Sequence, residues 1–128
     1  MPEDAMPLVI SAPDPRSLDL IFTPEALERF RAKYRIIETD PNTIAALPAS
    51  DLAAARYIVG QPPLSRETLE RMPALRCIFN VETNLLNNMP YDLLFERGIH
   101  VVTTGAVFAE PVAELGLAMA LNLSLIHI

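Results

Sequence analysis

Glycine is scarce in this 128-residue chain, with four in all: Gly60, Gly98, Gly105 and Gly116. No two stand at the spacing of G-x-G-x-x-G or G-x-x-x-x-G-K, so neither loop that cradles a nucleotide phosphate on backbone amides is present. Cysteine is scarcer still. With Cys77 alone, a disulfide framework or a thiolate cluster within one chain is excluded, and a reducing compartment is the expectation. The two histidines, His100 and His127, cannot form H-E-x-x-H, and no serine sits in G-x-S-x-G, so neither a metal site nor a nucleophile elbow is expected. Cations are the minority as well: ten Lys plus Arg against sixteen Asp plus Glu leave a net charge of −6, and no basic stripe exists to neutralise phosphates. Nucleic acid is therefore not an expected partner.

Targeting signals are missing too. Glu3 and Asp4 stand where a signal peptide carries positive charge, and Pro2, Pro7, Pro13 and Pro15 interrupt any early apolar run, which predicts a cytoplasmic protein. The longest uncharged stretch, Leu115 to Ile128, has fourteen residues. That is short of the roughly 20 a bilayer span needs, so no membrane is expected as partner and a buried helix is predicted there.

What is present suffices for a core. Residues are 51% apolar and 20% charged, a balance that offsets the entropy of folding, and the length suits one domain. Leu8-Val9-Ile10, Arg35 to Glu38, Tyr57-Ile58-Val59, Leu75 to Phe79 and Ile99 to Thr103 read as strands, short apolar or β-branched runs bounded by proline, glycine and turn residues. Between them, Thr23 can cap a helix with Pro24 at its first position, and Ser65 can cap one through Met72. Pro90 to Arg97 reads as a helix ended by Gly98, and a last helix is predicted from near Pro111. Strands alternating with helices, and apolar throughout, predict an α/β fold: a flavodoxin-like parallel sheet with helices on both faces. Ligands of such sheets bind beyond the strands' carboxyl ends, so the loops after Gly60, Phe79 and Thr103 are where function is expected.

One of those loops, Asn80-Val81-Glu82-Thr83-Asn84, is polar throughout but for Val81. It is either a solvated connection or a set of exposed amides able to hold an anion. Glu110 and Glu114, four apart at the expected start of the last helix, suit either acid/base work or complementarity to the helix dipole. His100 and Cys77 read as structural, the latter as a small core hydrophobe.

Several segments together resemble the D-isomer-specific 2-hydroxyacid dehydrogenases, the group that includes glycerate and phosphoglycerate dehydrogenases. They are Leu75-Arg76-Cys77-Ile78-Phe79, the polar loop, Asn88-Met89-Pro90-Tyr91-Asp92, Glu96-Arg97-Gly98-Ile99-His100-Val101-Val102-Thr103 and Pro111-Val112-Ala113-Glu114. The resemblance runs from about Leu75 to Leu121 and implies the catalytic domain of a two-domain dehydrogenase, with the cofactor domain missing. It implies an NAD(P)-dependent oxidoreductase moving hydride between nicotinamide and a small 2-hydroxy or 2-keto acid, working as a homodimer. The substrate carboxylate would be held by the backbone amides of Val81, Glu82, Thr83 and Asn84, and Val112 would lie near the nicotinamide. The family's usual glycines are replaced here by Glu82 and Asn84, and a Glu82 carboxylate facing the substrate would repel it.

The family's phosphate loop, acidic ribose-binding residue, catalytic Arg and Glu-His pair all lie beyond the crossing helix, so the chain is expected to be an inactive fragment with no catalytic residue of its own. Its expected organisation is a substrate-binding domain over 1–109, a crossing helix over 110–122 and a tail over 123–128. That tail, Leu123-Ser124-Leu125-Ile126-His127-Ile128, matches a translation of the transposon-end adapter used in DNA library preparation. The rival functions are a stand-alone flavodoxin-like binding or regulatory domain and a phospho-accepting receiver. The receiver is disfavoured because Ser11, Gly60 and Thr104 stand where it needs acidic residues and a lysine.

Overall fold

The computed structural model describes residues 6–126. Glu3, Asp4 and His127, on which the targeting and tail expectations partly rest, lie outside them. Five parallel strands form one sheet in the order β2-β1-β3-β4-β5: β1 Leu8–Ser11, β2 Arg35–Glu38, β3 Ala55–Val59, β4 Cys77–Phe79 and β5 His100–Val102. The helices are α1 Leu18–Ile21, α2 Pro24–Lys33, α3 Ala49–Ala54, α4 Arg66–Glu70, α5 Tyr91–Glu96 and α6 Gly105–Ile126, with a 3₁₀ segment at Pro41–Ala46. The predicted α/β architecture is what is observed.

Local chemistry explains the short helices. Thr23 Oγ1 accepts from the Ala26 amide at 3.3 Å with Pro24 at the first position, and Ser65 Oγ accepts from Thr68 N at 3.1 Å. α5 ends at Gly98, whose φ of +69° lets the chain turn back while Ile99 N reaches Leu94 O at 2.8 Å. Arg97 closes the neighbouring helix end, donating through Nη1 to Leu69 O at 2.6 Å and through Nη2 to Met72 O at 2.8 Å.

Side chains alternate between the two sheet faces, as a pleated strand requires. On one face Leu8, Ile10, Ile58 and Ile78 pack with Ile44, Leu52, Leu69, Met72 and Leu94 in the main core. On the other, Val9 and Val59 pack against Leu18 and Leu27, with Phe22, Phe30 and Tyr34 alongside. The helices α1 and α2 cover only the β2-β1-β3 half of this second face. Over β4 and β5, Phe79 and Val102 stay 43% and 42% exposed and border an apolar groove of about 630 Å³ with Tyr57 and Val107.

Three sequence expectations need correction. The helices α1 and α3 are additional; each is too short to show an amphipathic repeat. The last helix begins at Gly105 rather than near Pro111, because Thr104 O already accepts from Val107 N at 3.0 Å and so opens the first turn. It carries Pro111 inside, takes in the expected 109/110 boundary, and has no acidic residue in its first turn, so Glu110 and Glu114 do not sit where the dipole would favour them. No residue of α6 is buried, so the described residues do not themselves supply the cover that its apolar second half calls for. With 22 residues and a mean hydropathy of 1.4 in its most apolar window, α6 is also long and apolar enough to cross a membrane by length and composition, unlike the shorter run first considered.

Gly60 fixes where β3 ends. Its φ is +111°, and a Cβ there would fall 2.3 Å from Ala12 O. Gly60→Ala should therefore cost clearly more than Gly98→Ala, whose Cβ would meet nothing within 4 Å. We expect about 1 kcal/mol for Gly98→Ala and more than about 2 kcal/mol for Gly60→Ala in urea denaturation. Equal midpoints for the two variants would contradict the close approach at Gly60.

Candidate functional site

At the carboxyl edge of the sheet, backbone bonds continue past the strand ends. Ala12 N donates to Val59 O, Gly60 N to Phe79 O and Asn80 N to Val102 O, each at 2.8 Å. These staggered bonds carry the loops after β1, β3, β4 and β5 into one layer. A cavity of about 230 Å³ opens there, lined by Ala12, Asp14, Gln61 and residues of the 80–88 segment.

Asn80 organises that segment. Its side chain, on a residue only 3% exposed, accepts from Glu82 N through Oδ1 at 2.9 Å. Nδ2 donates to Gln61 Oε1 at 2.5 Å and to Asn84 O at 2.6 Å, so one carboxamide ties the beginning of the loop to its end and to the segment after β3. Gln61 is held in turn: Nε2 donates to Tyr91 Oη at 2.8 Å, while Asn88 Nδ2 donates to Gln61 O at 2.8 Å. Burial pushes the Tyr91 hydroxyl pKa up, opposed by the Gln61 bond. From the other side Thr104 N donates to Glu82 O at 3.2 Å and Thr104 Oγ1 to Val81 O at 3.3 Å.

The polarity of the loop follows. The carbonyls of Val81, Glu82 and Asn84 are all turned to protein donors, while among the described residues the amides of Val81, Thr83 and Asn84 meet no protein acceptor. The Glu82 amide is already spent on Asn80, so of the four expected donors three are without a partner. A loop whose oxygens face inward and whose N–H groups are left over suits a carboxylate or another small anion.

Thr83 and Asn84 are exposed and Val81 and Glu82 half-buried. The Glu82 carboxylate does not stand alone: Arg16 Nε donates to its Oε1 at 2.7 Å, a bond that with the charge of Glu82 pushes the Arg16 pKa up. Val112 is not brought to this group. It stands on α6 seven residues beyond Gly105, about 10 Å up the axis, and is 64% exposed. Glu110 and Glu114 are exposed on the same helix and His100 on the edge strand. Among the described residues no cluster of metal-ligating side chains exists.

Sequence reasoning found the loop but not Arg16, Gln61 or Thr104 as its supports. Gln61 carries one signal, a polar residue caught between the strand-ending Gly60 and Pro62-Pro63. Arg16 carries none, since its partner lies 66 residues away.

The family model for "D-isomer specific 2-hydroxyacid dehydrogenase, catalytic domain" matches residues 17–119. A phosphoglycerate oxidoreductase from Rhizobium etli is 70% identical with a TM-score of 0.83, over 90% of this chain and 36% of that one. An NADPH-dependent glyoxylate/hydroxypyruvate reductase from Sinorhizobium meliloti, crystallised with NADP and malonate, is 21% identical at a TM-score of 0.62, over 92% of this chain and 34% of that one. D-lactate dehydrogenase from Aquifex aeolicus, complexed with NAD and lactic acid, is 21% identical at a TM-score of 0.55, over 89% and 32%. The chain thus spans about a third of the length of these solved structures. No curated protein matches it.

Asn80→Ala should destabilise the fold by about 2–4 kcal/mol, because it strands the Glu82 amide and removes the donors to Gln61 and Asn84. Asn80→Asp keeps the acceptor for that amide. Hydrogen exchange at Glu82 N–H should therefore be fast in the alanine variant and slow in the aspartate one, and equal rates would remove Asn80 from its organising place. Cys77, half-buried, has its thiol pKa pushed up by burial. Its alkylation by iodoacetamide at neutral pH should be slower than that of an unfolded cysteine peptide, and matching rates would show the thiol to be free.

Proposed function

Because the chain belongs to the D-isomer specific 2-hydroxyacid dehydrogenase catalytic-domain family, we propose that it is the substrate-holding part of an NAD(P)-dependent oxidoreductase that interconverts small 2-hydroxy and 2-keto acids. The observation that carries the reading is the 81–84 loop, with its carbonyls engaged and three amides left over. A substrate carboxylate accepts from the amides of Val81, Thr83 and Asn84, and no positive side chain is required for that contact. Asn80 keeps those amides in place before substrate arrives, so little ordering is left to be done on binding. A cavity of about 230 Å³ suits a small acid better than a bulky one.

A nicotinamide, when bound, supplies or takes the hydride. The described residues do not fit a dinucleotide by themselves: no glycine-rich loop lies among them, and the exposed Val112 offers at most one apolar wall. In this reading the 128 residues alone have no turnover. The small acids of the reductase and lactate dehydrogenase structures, malonate and lactic acid, support the substrate class. Assembly as a homodimer belongs to the same proposal, supported by the exposed apolar length of α6. The stand-alone binding domain is not favoured by the family membership.

Two substitutions in the complete protein test the loop. Thr83→Pro removes one donor, worth about 1.5–3 kcal/mol when its acceptor is charged, and should lower kcat/KM for a small 2-keto acid by roughly 10- to 100-fold. Thr83→Ala keeps the donor and should stay within about threefold of the unaltered protein. A Thr83→Pro enzyme with unchanged kinetics would remove the carboxylate from this loop.

A further inference from the structure

Two carboxylates, Asp14 and Glu82, line the cavity beside the 81–84 loop, and no lysine, arginine or histidine lines it with them. An anion approaching the free amides meets that negative charge. Arg16, in the loop after β1, is the cation that meets Glu82, Nε to Oε1 at 2.7 Å. The two side chains are 45% and 41% exposed, and ion pairs so wet contribute little to stability. Their consequence is electrostatic and local. Glu82 N and Glu82 O are both pinned, to Asn80 Oδ1 and Thr104 N, so the backbone from which this carboxylate projects is fixed beside the cavity. Arg16 meets the charge on the side of the β1 loop.

We propose that Arg16 is a positioning residue that neutralises Glu82 and ties its carboxylate to the β1 loop, so that the amides of Val81, Thr83 and Asn84 are open to an anion. This rests on the reading of the loop as a carboxylate site. Arg16 acts through Glu82 and does not itself hold the anion. The pair thereby tolerates, on the loop after β4 and on the cavity wall, an acidic side chain where a small neutral residue would need no compensation.

The test is a malonate titration of the 128-residue chain, followed by the NMR shifts of the Val81, Thr83 and Asn84 amides, for the unaltered chain and three variants. Arg16→Ala should weaken malonate by about three- to tenfold, as one uncompensated charge near the ligand would. The double variant Arg16→Ala with Glu82→Gln should return to within about twofold of the unaltered chain, and Arg16→Lys should stay there. Unaltered affinity in Arg16→Ala overturns the inference. So does a double variant as weak as Arg16→Ala, which would mean that the guanidinium touches the anion itself. If the unaltered chain gives no shift of these amides, the loop reading fails and takes the inference with it; if it responds and Arg16→Ala responds equally, only the inference fails.

Discussion

A carboxamide that is nearly out of reach of water has to satisfy both its oxygen and its nitrogen inside the protein, and at Asn80 that requirement shapes the site. Leaving such a group unpaired costs about 1–3 kcal/mol, so the chain around it folds to meet it: the Glu82 amide turns in to Oδ1, and Gln61 Oε1 and the Asn84 carbonyl converge on Nδ2. The loop's leftover N–H groups are the complement of that demand. Those three free N–H groups are thus a by-product of burying a neutral polar side chain.

The parallel sheet makes this arrangement possible by ending its strands in step. Bonds at Ala12, Gly60 and Asn80 extend the ladder one residue past β1, β3 and β4, and bring loops distant in sequence into one layer. Gly60 is the tightest point, where main chain passes main chain without room for a Cβ.

What could be read from the residues divides along the range of the interactions. Strands written in short β-branched runs, the Thr23 and Ser65 caps and the Gly98 stop depend on neighbours within four residues, and they were legible. The site loop was legible as a polar stretch at a strand's end. Its supports were not, because Arg16 and Gln61 act on residues 66 and 19 positions away. The burial expected of the last helix is not met within the described residues, for a different reason. An apolar composition states what a segment needs against it, and only the folded arrangement shows whether the same chain supplies it. Pro111 misled in a related way: it fits a first helical turn so well that the earlier start at Gly105, set by the carbonyl of Thr104, went unread.

That proline has a mechanical meaning. Lacking an N–H, Pro111 cannot bond the carbonyl of Val107, so α6 is missing one rung of its ladder within its first two turns. The stretch beyond it to Ile126 is about 22 Å long at 1.5 Å per residue, and it is held by nothing else among the described residues. It is a lever arm with its softest point at the base. A bend of only 10° there sweeps the far end through about 4 Å, and because the soft point lies beyond Thr104, the residue that precedes the helix and grips the carbonyls of Val81 and Glu82, such a bend leaves the 81–84 loop where it is.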